Sequence, residues 1–151
     1  SAPDDVTVDL SDRISQAVPV EHVLPNADGP DVTIFGRRGR IVAVDPVYGN
    51  IETDMVVADL YDLGLQPGDK LRLLCGQEAR PAVWGTTYAD VGAGEFVVFL
   101  TADGTLRVAM NGGQAARRLN SHVGESLEIT IWIDIREPGP DIESERPRRK
   151  K

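Results

Sequence analysis

From residue 32 onward the chain is written in apolar runs of five to ten residues, each cut short by Gly, Pro or Asp. "DVTIF" stops at "GRRG", "RIVAV" at "DPVYGN", and "KLRLLC" begins after "QPGD". "AVWGTTY" and "EFVVFL" are separated by "ADVGAG", "TLRVAM" follows "ADG", and "SLEITIWIDI" follows "HVGE". Runs this short are the length of strands rather than of long helices, and their Val, Ile, Leu, Thr and aromatic content suits a pleated surface. The pattern predicts an all-β fold, an antiparallel barrel-like or sandwich domain with one or two short helices. The helices are placed at "TDMVVADLYDLG", where Gly64 acts as the stop, and at "GGQAARRLN" after Asn111.

The chain divides into three. Residues 1–31 hold seven acids against Arg13 alone, and four prolines, and read as an extended acidic arm. Within it "VTVDL" alternates like a strand, and "AVPVEHVL" reads as an edge segment because Pro19 has no amide to give to a central ladder. Residues 32–136 form the β domain, with thirteen acids and ten bases. Residues 137–151 end in "RPRRKK" and read as a disordered polar, basic tail. The 151 residues, 41% of them hydrophobic, suffice for one core.

Several function classes lose support. The net charge of -8 and the lack of a broad basic face argue against a nucleic-acid partner. No apolar run approaches the ~20 residues of a membrane span. Cys75, the only cysteine, lies in "LRLLC" and reads as a buried thiol. His22 and His122 have no ligand at helical spacing, so no metal site is expected. No phosphate-binding Gly-rich loop and no nucleophile elbow occurs. The opening "SAPDD" fits an expression remnant or the end left by signal cleavage, which leaves the compartment open between the cytoplasm, taken by default, and export.

Two local stretches stay ambiguous on residue chemistry alone. "RRGR" reads as a hairpin turn in which Gly39 takes a positive φ, with an anion held by Arg37, Arg38 and Arg40 as the alternative. "DPVYGNIETDM" is a turn capped by Asp45, or the lip of a binding site. The stretches "LQPGDKLRLL" and "SHVGESLEITI" are alike, each a Gly-acid turn launching a strand.

"DPVYGNIETDM", "TTYADVGAGE" and "TADGTLRVAMNGGQAARRL" follow in that order, with "PGDKLRLL" between the first two and "VGESLEITI" after the third. Over residues 39–133 this resembles the C-terminal β domain of the S-adenosyl-methionine hydroxide adenosyltransferases, the family that includes fluorinases and chlorinases. The resemblance implies a homotrimer with an adenosyl site shared between neighbouring subunits. By resemblance Asp45 meets the methionine amino group, Asn50 reads the adenine edge, and Tyr48 and Tyr88 border the ligand. Asn111 and the backbone at Gly112 close on adenine. S-adenosyl-methionine or adenosine is the implied ligand, and no cofactor or metal is expected.

The departures are as informative. No stretch resembles the family's N-terminal catalytic domain, Asp54 replaces an Asn, and Asp103 and Met110 stand where halogenating relatives carry arginines. No catalytic residue is therefore assigned. The expectation is a self-associating or ligand-binding module without catalysis of its own. Two alternatives are a subunit or fragment of an enzyme hydrolysing S-adenosyl-methionine to adenosine and methionine, completed by another chain, and a purely structural β module.

Overall fold

The computed structural model describes residues 16–61 and 63–133. Eight strands follow in chain order: β1 (Val18–Leu24), β2 (Val32–Val44), β3 (Ile51–Val56), β4 (Lys70–Cys75), β5 (Glu78–Trp84), β6 (Phe96–Leu100), β7 (Thr105–Met110) and β8 (Ser126–Ile131). Two four-residue helices, α1 (Ala58–Tyr61) and α2 (Ala115–Arg118), follow β3 and β7. Neighbouring strands run β2-β3-β7-β6-β5-β4-β8, and pairing of β8 back onto β2 closes a seven-stranded barrel. The all-β expectation holds, and closure decides for barrel over sandwich.

Within the barrel the alternation of side chains sets the core. Ile51, Thr53 and Met55 of β3, Leu71 and Leu73 of β4, Leu106 and Val108 of β7, and Leu127 and Ile129 of β8 are buried, and all but Thr53 belong to one cluster. Leu60 of α1 and Ala115 and Ala116 of α2, followed by Leu119, join that cluster. Each fully buried aliphatic side chain contributes about 1.5–3 kcal/mol of transfer free energy. Thr53 is tolerated inside because its hydroxyl donates to Leu106 O at 2.7 Å.

Several expectations are corrected. "GRRG" is no hairpin: β2 runs unbroken through it for thirteen residues. Its glycines serve close approach rather than a positive φ. A Cβ on Gly36 would lie 2.3 Å from Ile129 O and 2.6 Å from Thr130 Cγ2, and one on Gly39 2.4 Å from Met55 Cγ. Nor do the arginines gather around an anion: Arg38 pairs with Glu128 at 3.2 Å, while Arg40 Nη1 donates to Gly124 O at 2.8 Å. The helix placed on "TDMVVADLYDLG" is mostly strand, since Ile51–Val56 alternates buried and half-buried residues and only Ala58–Tyr61 is helical. Gly64 does end it, at φ 70° with its N–H on Tyr61 O. The helix on "GGQAARRLN" is a single turn, Ala115–Arg118. The barrel is also not wholly antiparallel, because β5 and β6 run parallel.

"AVPVEHVL" forms β1, which pairs along β2 from Val18 opposite Arg38 to Leu24 opposite Val32. A second tie supplements the backbone: the Glu128 carboxylate on β8 bonds His22 Nε2 at 2.8 Å from β1 and Arg38 Nε from β2. "VTVDL" and the tail 137–151 lie outside the described residues.

The Gly-acid turns share one geometry, found three times among the described residues. In "QPGD", "GAGE" and "HVGE" the acid side chain accepts from the N–H three residues earlier (Gln66, Gly92, His122) and its own N–H returns to that residue's carbonyl. The Gly has φ between 83° and 96° in all three. The next residues begin β4, β6 and β8. Cys75 closes the account of β4: burial, then the nearby Glu125 carboxylate, pushes its thiol up to about 11.

Two stability measurements test this reading. Gly36→Ala should lower unfolding free energy by about 1–3 kcal/mol through overpacking, while Gly29→Ala, where a Cβ meets nothing nearer than 3.7 Å, should stay within about 0.5 kcal/mol. Equal effects in denaturant titrations would contradict the crossing geometry. Thr130, fully buried, has a hydroxyl with no hydrogen-bond partner among the described residues. Thr130→Val should therefore stabilise by roughly 1 kcal/mol, and a loss of stability in the same titration would show that the hydroxyl is bonded.

Candidate functional site

The loop joining β2 to β3 is a closed turn. Asp45 N donates to Asn50 O, Gly49 N returns to Asp45 O, and Asp45 Oδ1 accepts from Val47 N at 2.9 Å. Gly49 sits at φ 72° where any Cβ would fall 2.6 Å from Gln114 Cβ, and its carbonyl accepts from Ala116 N. The β2–β3 loop is thus locked against the entry to α2. With Asp45 and Gly49 pinned, Val47 and Tyr48 at the tip are thrust outward, 66% and 64% exposed.

Across from that tip lies the stretch from Met110 to Gln114. Between them opens a cleft of about 920 Å³, walled by Val47 and Tyr48 on one side, Met110 to Gln114 on the other, and Tyr88. Tyr88 comes from the crossover between β5 and β6, where a single 3-10 turn (Tyr88–Asp90) rests on the outside of the barrel. Its ring packs edge-on to Phe99 at 6.0 Å and 71°. Phe99 in turn lies under the Arg107 guanidinium at 5.9 Å, which pairs with Glu52 at 2.7 Å. Val91, Val97, Phe99 and Ala109 form a second small cluster beneath the crossover.

The six sequence-predicted residues are brought close but not into one pocket. Tyr48, Tyr88, Asn111 and Gly112 line the cleft. Asn50 is buried behind it and donates from Nδ2 to Tyr88 Oη at 2.9 Å. Asn111 Nδ2 donates to Val91 O at 2.7 Å, tying the crossover to the end of β7. Asp45 faces a separate, smaller cavity of about 350 Å³ with Arg117 and His122. The two amides therefore act from this geometry as braces of the cleft wall, and Asp45 as the cap of the turn. Asp54 caps elsewhere, accepting from Arg40 N at 2.8 Å. Sequence reading missed Val47, Gln114 and the Phe99–Arg107–Glu52 support. Only the exposed apolar Val47 beside Tyr48 carried a local signal.

The crossover is held by Asp90. Its carboxylate accepts from Thr86 N at 2.6 Å, Thr86 Oγ1 at 3.1 Å and Thr87 N at 3.2 Å, and these bonds, led by the Thr86 amide, hold its pKa below the ordinary value. No group of three or more metal-ligating side chains occurs among the described residues. No helix among them is long and apolar enough to cross a membrane.

The chain is thus a closed β-barrel with a broad cleft lined by Tyr48 and Tyr88, between a Tyr-Gly-Asn turn and an Asn-Gly-Gly turn. Residues 39–128 match the model of the SAM hydroxide adenosyltransferase C-terminal domain, and the chain belongs to that family. It is 42% identical over 113 residues to an (R)-S-adenosyl-L-methionine hydrolase of Salinispora tropica, covering 75% of this chain and 37% of the relative. It is 32% identical over 134 residues to a fluorinase of Nocardia brasiliensis, covering 80% and 45%. The chain thus spans less than half the length of either relative. Among solved structures, a conserved protein of Thermotoga maritima superposes with a TM-score of 0.59 at 28% identity, over 62% of this chain and 35% of the other.

The Asp90 cap carries a pH signature. Because its folded pKa is depressed, the unfolded chain takes up the proton first on acidification. The stabilisation is present above the unfolded value of about 3.9 and is lost as pH falls through the lower folded one. Thr86 and Thr87 amide resonances should titrate in that acid window, and Asp90→Asn should remove the titration. Unchanged titration in the variant would assign it to another carboxylate.

Proposed function

We propose that this domain binds the adenosyl portion of S-adenosyl-methionine or adenosine in the cleft between Tyr48 and Gly112, as a self-associating module without catalysis of its own. One observation carries the reading: the four residues Tyr48, Tyr88, Asn111 and Gly112, singled out from separate stretches of sequence, line the same open cleft. An aromatic ring offers a stacking face for a nucleobase, and the backbone of Gly112 and Gly113 offers donors and acceptors at close approach. Asn50 and Asn111 fix the Tyr88 wall in place before any ligand arrives, and such preorganisation lowers the ordering cost of binding. Among the described cleft residues there is no arginine to hold a carboxylate and no evident base to activate water.

The similarity to an S-adenosyl-methionine hydrolase over 113 residues favours a second reading. In it the cleft is one wall of a hydrolytic site whose remaining groups come from another domain or chain, adenosine and methionine being the products. The association of subunits, a trimer by family analogy, belongs to both readings.

Binding at about 100 times the dissociation constant stabilises a fold by about 2.7 kcal/mol. Thermal unfolding with adenosine and with S-adenosyl-methionine should show a concentration-dependent rise, reduced in Tyr88→Ala and retained in Tyr48→Phe. No shift at millimolar ligand would overturn both readings in favour of a structural role. Adenosine release from S-adenosyl-methionine by this chain alone separates them: none is expected for the module, and turnover would require catalytic groups within the chain.

A further inference from the structure

The chain carries a third concavity that shares no residue with the adenosyl cleft or with the cavity beside Asp45. It lies where β4, β5 and the start of β6 meet α2, encloses about 260 Å³, and brings together cations from three elements: Lys70 of β4, Arg80 of β5 and Arg118 of α2. Its wall is apolar, from Pro81, Val83 and the buried Phe96. In a chain of net charge -8, a groove edged by three bases against one acid is a local reversal of sign.

Two of the three charges have no ion-pair partner among the described residues. Arg80 is paired with Glu78 at 3.0 Å on its own strand. Lys70 and Arg118 make no side-chain hydrogen bond or ion pair with another described residue; their recorded bonds run through the backbone, from Trp132 N to Lys70 O and from Arg118 N to Gln114 O. The one acid lining the groove, Glu95, accepts from Gly92 N at 2.9 Å and forms no ion pair with either cation among the described residues. Two cations without a side-chain partner among the described residues thus line a common concavity from a strand and a helix, over an apolar floor.

We propose that this groove is a binding site for a small oxyanion, a phosphate or carboxylate group carried on a short apolar body. Lys70 supplies a point charge and Arg118 a planar fork that grips two oxygens of one group, the usual division of labour between these side chains. Pro81 and Val83 receive the body of the ligand, and the volume suits a molecule well below drug size. The site is independent of the adenosyl reading and stands whether or not that cleft binds a nucleoside.

The test is a titration of the whole chain with inorganic phosphate and, separately, with benzoate, at fixed ionic strength, followed by backbone amide chemical shifts. Saturable shifts centred on Lys70, Val83 and Arg118 are expected for at least one anion; which one saturates identifies a phosphate or a carboxylate site. The doubly neutralised Lys70→Gln/Arg118→Gln variant should weaken the response by about tenfold or more, equivalent to ~1.4 kcal/mol, with its unfolding midpoint unchanged. Tyr88→Ala should leave the titration as it is. The proposal is overturned if both anions give linear, unsaturated shifts, if the neutralised variant titrates like the parent, or if the responding amides are those of the adenosyl cleft.

Discussion

The barrel closes because β2 can lie against β8 without a side chain at Gly36 and against β3 without one at Gly39. Where these residues pass Ile129, Thr130 and Met55 there is no room for even a methyl group. That approach lets one thirteen-residue strand serve two tasks: it pairs with β8 over Gly36–Arg40 to close the sheet, and with β3 from Ile41 to Val44 to open the hairpin that carries the cleft. A closed sheet has no unpaired edge to manage, and the edge left by adding β1 begins with Val18 and Pro19, the latter unable to extend a ladder.

The cleft depends on this frame at one remove. The β2–β3 loop holds its shape through its own Asp45 turn, but its position comes from Gly49 resting on Gln114 and bonding Ala116. The Tyr88 wall is brought over the barrel's outer face by the parallel β5–β6 connection, the one place among the described strands where two neighbours run the same way. A parallel pair requires a crossover rather than a tight turn, and Tyr88 rides on that crossover. Support then runs inward from Tyr88 to Phe99, Arg107 and Glu52. Ring, cation and carboxylate sit on adjacent strands, so the wall is braced from below as well as by the two amides.

Much of this was legible in the sequence. Strand length and turn residues gave away an all-β domain, and the order of three motifs pointed to the family. What misled was local pattern read without its partners. "RRGR" has the composition of a turn, yet the demand on its glycines comes from β8 and β3, distant in sequence and invisible until they pack. "TDMVV" has apolar residues at spacings that also suit a helix, and only pairing with β2 and β7 made it a strand. Asp45 makes the local turn bond to Val47 that its position suggests, but the hydrogen bonds of Asn50 and Asn111, to Tyr88 and Val91, depend on where the crossover lands.

The thrice-repeated Gly-acid turn has a consequence for how such a barrel assembles. Each turn is complete within four residues: a left-handed glycine, a carboxylate on the N–H three positions back, and a return bond from the acid's own amide. Contacts so close along the chain form within about a microsecond, whereas pairing of Gly36 with Thr130 must first close a loop of most of the domain. Corners that are made early remove conformations from the chain before the slow step begins. The starts of β4, β6 and β8 are thereby fixed in direction while the sheet is still open, so the final closure has fewer registers left to choose between.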